Sequence, residues 1–425
     1  MFTVPIQGVG QGNGAGPQIW AVVSTPIFDM LRSMGFGAHF QASISQEQLH
    51  FVGFAIVDDA DLVQTTMTNT QSFQDVAVWM QQALTAWEGG LRTTGGAIVP
   101  EKSHWYLIDF VWDKGLWRYK SSEESPVTLK IRDCNGTMKI LGCLEMNEAR
   151  RTLGVRLAPD GNNKAEVKFL RERVVEWADR IRTGHLPRRL VWESMHTTIM
   201  KSIQYPLPAT TLSEAQCRSI MAPLLAQGLS GTRVVRTLKR DVVYGPSKYQ
   251  GLGVSCLYTF QMTEHIVRIL KYCNATEHLT GQLIRHTLEA TKLEVGCDGP
   301  LLVKAYAVYK DLVTETWLTH TWEFLGANNI QIEDGVADLT LDREHDQFLI
   351  RAFQQAGYKG KTLGRLNACR LYCRQQQYQI LLPDVVDILL NLHGRDVLIV
   401  LDPGDMIGRV KGTQQFPTGS YGKKQ

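Results

Sequence analysis

The chain has 425 residues, with 45 basic against 42 acidic side chains and a formal net charge of +3. That length implies two or three domains, and the near-neutral balance gives no global signature of polynucleotide binding, so any such surface has to be local. The eight cysteines, at 134, 143, 217, 256, 273, 297, 369 and 373, are too scattered for a disulfide framework. No basic-then-apolar leader follows Met1, and no stretch reaches the ~20 apolar residues of a membrane span, so the expectation is a soluble, intracellular protein.

In chain order, the first feature is Gly8 to Pro17, GVGQGNGAGP, followed by the apolar stretch Ile19 to Leu31. Five glycines let a backbone approach a ligand closely, and the next segment can start a helix that favours phosphate at its N-terminus. Taken alone, such glycines equally describe a flexible leader. Phe51 to Val63, FVGFAIVDDADLV, places two adjacent carboxylates between apolar runs, which predicts a β-hairpin with Asp58 and Asp59 at its tip. Neighbouring anions beside apolar strands call for a balancing cation, and Mg²⁺ is the usual one for carboxylates that also meet phosphates. A polar turn is the alternative, and the hairpin by itself does not separate the two. Ser72 to Leu91 then reads as a packing helix, with Phe73, Val76, Ala77, Met80, Leu84, Trp87 and Leu91 on one face and Ser72 and Asp75 in capping-box spacing. A glycine-containing connection leads to Lys102, and a second strand pair is expected over Trp105 to Lys120.

This order of Gln-Gly loop and helix, Asp-Asp hairpin, helix, lysine and aromatic hairpin resembles the second half of the palm of reverse transcriptases, particularly those of non-LTR retroelements. Gln11, Gly12 and Pro17 match the family's Gln-Gly loop, which contacts template and incoming nucleotide; Gly16 stands where the family usually has serine. Asp58 and Asp59 match the acidic pair of the catalytic hairpin, here Val-Asp-Asp. Lys102 matches a lysine proposed to assist proton transfer to the leaving pyrophosphate, and Trp105 to Tyr119 looks like the hairpin that holds the primer end. The resemblance covers roughly the first quarter of the chain, and its motifs are specific together rather than singly.

The resemblance implies RNA-templated DNA synthesis by two-metal nucleotidyl transfer. Its cofactor would be Mg²⁺ (or Mn²⁺), and its partners an RNA template, a DNA primer and deoxynucleoside triphosphates. Asp58 would hold the metals, Asp59 support or share them, Gln11 and Gly12 position nucleotide and template, and Lys102 assist the leaving group. Such enzymes need a further carboxylate on a strand before the Gln-Gly loop, because two metals about 3.5–4 Å apart must both be held. The ten residues before Gln11, MFTVPIQGVG, contain none. The expectation is therefore a C-terminal part of such an enzyme that lacks the fingers and the first palm motif and is inactive by itself. A retroelement polymerase must meet chromosomal DNA, which makes the nucleus a candidate compartment.

Further along, VTLKIRD and TMKILGCL around Asn135-Gly136 predict a hairpin, and RTLGVRLA (Arg151 to Ala158) predicts a strand closed by Pro159-Asp160-Gly161. Its Leu-Gly-Val also resembles the end of the retroelement palm. Helices then follow. Val167, Leu170, Val174, Trp177 and Ile181 form one stripe, with Asn163 and Glu166 as a candidate cap pair and Arg171, Arg173, Arg180 and Arg182 on its flanks. A second helix spans about Arg188 to Gln204, stopped by Tyr-Pro-Leu-Pro, and a third opens at Ser213 with Gln216 and ends near Gly228. In the resemblance these form the thumb. Their arginines, interspersed with Glu166, Glu172, Glu176 and Asp179, equally describe solvated helix faces.

The densest basic run, Arg233 to Arg240, places Arg233, Arg236, Lys239 and Arg240 on a helix face or loop edge as the best nucleic-acid backbone contacts outside the palm. Gly251-Leu252-Gly253 reads as a turn before an apolar helix, Leu257 to Tyr272. Beyond residue 300 the expectations are helical structure over 301–325, a strand pair at 330–341 and helices at 346–355 and 363–376. Cys369 and Cys373 have no partner pair for zinc, and the tail 403–425 is expected to be disordered.

The fold class expected is therefore α+β. A partial antiparallel palm with helices (1–160) precedes a helical thumb and connection (161–300), a helical C-terminal region (301–402) and the tail. The competing readings are a non-catalytic nucleic-acid-binding or scaffold remnant of a retroelement, and a pseudogene-like fragment.

Overall fold

The computed structural model describes residues 15–375 apart from 57–58, 67–70, 114–115, 298 and 338–347. The fold mixes α-helices with small β-sheets and divides into two compact units between Met146 and Asn147. No helix among the described residues is long and apolar enough to cross a membrane.

The N-terminal unit opens with helix α1 (Gly16–Ser33), followed by strands β1 (Ala38–Gln41), β2 (Gln48–Phe51), β3 (Gly53–Ile56) and β4 (Asp59–Leu62). Helix α2 (Phe73–Thr93) leads to β5 (His104–Tyr106), β6 (Phe110–Asp113), β7 (Leu116–Tyr119), β8 (Lys130–Arg132), β9 (Met138–Ile140) and β10 (Gly142–Leu144). Among the described residues the strands pair only in twos: β1–β2, β3–β4, β6–β7 and β8–β9 are antiparallel, while β5 and β10 run parallel. The aromatic hairpin expected over Trp105 to Lys120 is thus shorter. Residues 104–106 leave it to pair with β10, a contact some 40 positions away that no local periodicity announces.

Helix α2 begins at the expected capping box, Ser72 and Asp75 each bonding the other's backbone N–H. It separates two small cores. One face meets α1 through Ile27, Leu31, Ala83, Trp87 and Leu91, with Phe36 and Val52; the other reaches Trp105, Leu129, Ile131 and Leu141 through Met80 and Leu84. Gly90 allows the first approach, since a Cβ there would lie 2.7 Å from the Ile27 side chain. Polar residues of α2 also cover the edge of β8. Gln81 exchanges two hydrogen bonds with the Lys130 backbone (2.8 and 2.9 Å), and Glu88 accepts from Arg132 N at 3.1 Å.

The C-terminal unit starts with β11 (Arg150–Thr152) and β12 (Val155–Leu157), paired antiparallel. The single strand expected over 151–158 is in fact this hairpin. Leu153 (φ 50°) and Gly154 (φ 88°) take left-handed conformations that turn the chain, and Tyr205 Oη donates to Leu153 O at 2.7 Å. Helix α3 (Lys164–Thr183) follows with the expected buried stripe, but Asn163 gives it no side-chain cap. Asn163 instead binds Thr211 O, while Glu166 is buried under β12, where it accepts from Arg156 N at 2.8 Å.

The helix expected over 188–204 forms as α4 (Arg188–Ser194), a π-helical turn (Met195–Ile199) and α5 (Met200–Gln204). Helix α6 (Glu214–Gly231) carries the Ser213–Gln216 capping box and packs along α3. Gly228 lies inside it, three residues before its end, where a Cβ would meet Met195 Sδ at 2.3 Å. After α7 (Arg240–Tyr244), helix α8 (Leu257–Tyr272) forms with the expected bounds. The remaining helices are α9 (Leu279–Val295), α10 (Tyr306–Tyr309), α11 (Trp317–Ala327), α12 (Leu349–Gln355) and α13 (Gly360–Gln375). They enclose a core centred on the fully buried Trp322 and Phe353.

The strand pair expected at 330–341 is absent over the described residues 330–337. Asp334 there is a buried anion rather than a turn residue: it meets Lys292 Nζ at 3.4 Å and accepts from Leu301 N at 2.6 Å. The tail 403–425 and the side chains of Cys369 and Cys373 lie outside the described residues.

Candidate functional site

The acidic hairpin is built by close backbone approach. A Cβ on Gly53 would sit 2.0 Å from Asp61 O, so only glycine lets β3 lie against β4 at this register. Ile56 pairs with Asp59 at the closed end of the hairpin. Asp59 is exposed as the first residue of β4; Asp58 falls outside the described residues. The hairpin's exit is anchored by Val63 N to Val52 O (2.9 Å), by Gln64 Oε1 accepting from Gly37 N (2.9 Å) and by Thr65 Oγ1 accepting from His39 N (2.9 Å). Beside these anchors the His39 and His50 rings stack across β1–β2 at 4.0 Å.

Sequence reasoning overlooked Asp61. Two residues beyond Asp59 on the same strand, it shares that face of β4. Partial desolvation and then the like charge of Asp59 push its carboxyl up from the usual range, while His104 at the start of β5 pulls it down. The signal was present in the Asp59-x-Asp61 spacing, since alternate positions of a strand face the same way.

Lys102 is exposed at the end of a 3-10 turn, Pro100–Lys102, directly before β5 and two residues from His104. Pro17 is exposed in the first turn of α1, and Gln11 and Gly12 lie outside the described residues. His104, at the start of β5, lies within electrostatic reach of Asp61. In the β6–β7 hairpin, Phe110 and Tyr119 face each other at 4.8 Å, and Arg118 holds Asp113 and both oxygens of Glu124. The Arg118 guanidinium and the Ser121 backbone hold the Glu124 carboxyl down to about 2.

In the other unit the basic run 233–240 is a loop edge rather than a helix face. Arg233 takes a left-handed φ of 62° after α6, Arg236 Nε donates to Ser230 Oγ, and Lys239 and Arg240 stand at the start of α7. All four side chains are exposed.

Among the described residues no three His, Cys, Asp or Glu side chains come together to hold a metal ion. No family model and no curated protein matches the sequence.

Proposed function

We propose that the chain is a reverse transcriptase-like protein, with a palm in the region that carries β3–β4 and a thumb in the helices that begin with α3. The observation that carries this reading is the glycine-dependent β3–β4 hairpin. It exposes Asp59, follows a helix opened at Pro17, and precedes in turn α2, Lys102 and an aromatic hairpin. The carboxylates suit a hard cation: Asp59 and Asp61 load one strand face with like charge, which a bound Mg²⁺ or Mn²⁺ would relieve. Asp58 and Asp59 would hold that ion, which supplies the charge neutralisation and hydroxyl activation of nucleotidyl transfer.

The rest falls to the chain's own side chains. Gln11 and Gly12 position template and nucleotide, Lys102 Nζ provides a proton to the departing pyrophosphate, and the Gln64 and Thr65 anchors hold the hairpin steady.

The exposed edge of Arg233, Arg236, Lys239 and Arg240 favours a second reading, a nucleic-acid binder without catalysis. Primer extension on an RNA template with Mg²⁺ or Mn²⁺ separates the two. Extension lost in Asp58→Ala/Asp59→Ala establishes a polymerase. No extension by either chain, with salt-sensitive primer–template binding that needs the basic edge and not the aspartates, leaves the binder.

A further inference from the structure

The β11–β12 register sets Arg151 directly opposite Arg156, two like charges on one face of a hairpin, an arrangement that is unfavourable unless something negative lies between them. Helix α3 adds a third guanidinium. Arg156 lies over the Phe169 ring at 3.5 Å from its centroid, and Arg173 approaches the same ring at 5.9 Å and Trp177 at 5.0 Å. A carboxylate answers Arg156. Glu166, 1% exposed, accepts from Arg156 N and meets its Nη1 at 3.6 Å, while its Oε1 is buried with no hydrogen-bond partner.

Neighbouring acids on α3 do not make up the deficit. Glu172 pairs with Lys168 at 4.0 Å, and Glu176 pairs with Arg180. Contacts with Phe169 and Glu166 restrain Arg156, which lowers the ordering cost of its contacts with a ligand.

We propose that Arg151, Arg156 and Arg173 form a binding site for a phosphate group, stacked on Phe169 and oriented by Glu166. Planar guanidinium groups suit the oxygens of a phosphate, and three of them leave this face with a surplus of positive charge. The phosphate belongs either to a polynucleotide backbone or to free inorganic phosphate. The inference uses none of the residues of the acidic hairpin and stands without the polymerase reading.

The test uses the full chain and a short fluorescein-labelled oligodeoxynucleotide read by anisotropy, with Arg151→Gln, Arg173→Gln and, as a control on α6, Arg218→Gln. Arg151 and Arg173 are exposed, so their replacement spares the fold, which circular dichroism checks. Each should weaken binding roughly five- to tenfold and lower the salt slope by about 1, with the control unchanged. Displacement of the probe by inorganic phosphate would assign the site to the free anion, and no displacement would assign it to the backbone. Unchanged affinity and slope in both variants, an equal loss in Arg218→Gln, or no binding of either probe to the wild-type chain would overturn the proposal.

Discussion

The two units stabilise themselves in different ways. The described residues of 15–146 rely on small cores on either side of α2 and on strands paired in twos, which leaves Phe54, Ile56, Phe110, Trp117 and Ile140 exposed along hairpins. Residues 147–375 bury long apolar stripes between helices and enclose charged groups outright, among them Lys292 with Asp334 and the guanidinium of Arg370 on the last carbonyls of α9. The difference teaches where function can reside. A thinly packed unit of hairpins can present carboxylates and aromatic edges to a ligand, whereas the helical unit commits its charges either to its interior or to solvent-facing arginines.

The largest expected effect lies in the helical unit. Lys292→Met leaves Asp334 buried beside backbone donors without its cation and should cost about 3–5 kcal/mol by denaturant titration. Peptide-resolved hydrogen exchange should show the loss concentrated after residue 147. A uniform loss across both units would break the contrast.

His265 sharpens it. Burial, and secondarily the charge of Arg268, push this imidazole down to about 4, so it is neutral in the fold and protonates near its ordinary 6.5 once unfolded. Its stabilising contribution is complete above pH 6.5 and is lost as pH falls toward 4, a difference of ~3 kcal/mol. His265→Phe should flatten stability against pH over that window, and an unchanged profile would remove this account of acid sensitivity.

Gly53→Ala should displace β4, because its methyl would collide with Asp61 O. It should therefore change exchange of residues 53–62 while leaving the helical unit untouched. The smallest effects should be equal across the units. Ser72→Ala and Ser213→Ala each remove the same capping box and should each cost about 1 kcal/mol. A marked inequality would show that cap strength depends on the packing around the helix.

The helices were legible in the sequence because their information is local. The Ser72 and Ser213 boxes gave helix starts that the structure keeps, and the apolar period of Leu257 to Tyr272 gave both bounds of α8. The acidic hairpin was legible for the same reason. What escaped depended on distant partners: the parallel β5–β10 pair, Glu166 drawn under β12 instead of capping α3, and Asp334 drawn to Lys292 instead of turning a hairpin. Leu153 hid a turn, because a branched side chain at positive φ is not a sequence signal for one. In the candidate site, Asp59 and Lys102 came from motif order, while Asp61 could have been read from its two-residue spacing from Asp59 on one strand.

The central claim is that the β3–β4 carboxylates form a divalent-cation site. Mn²⁺ titration followed by electron paramagnetic resonance, comparing the full chain with Asp58→Asn/Asp59→Asn, tests it most directly. The account predicts Mn²⁺ binding by the wild-type chain that the double variant loses. Equal binding by both chains, or none by either, would contradict it.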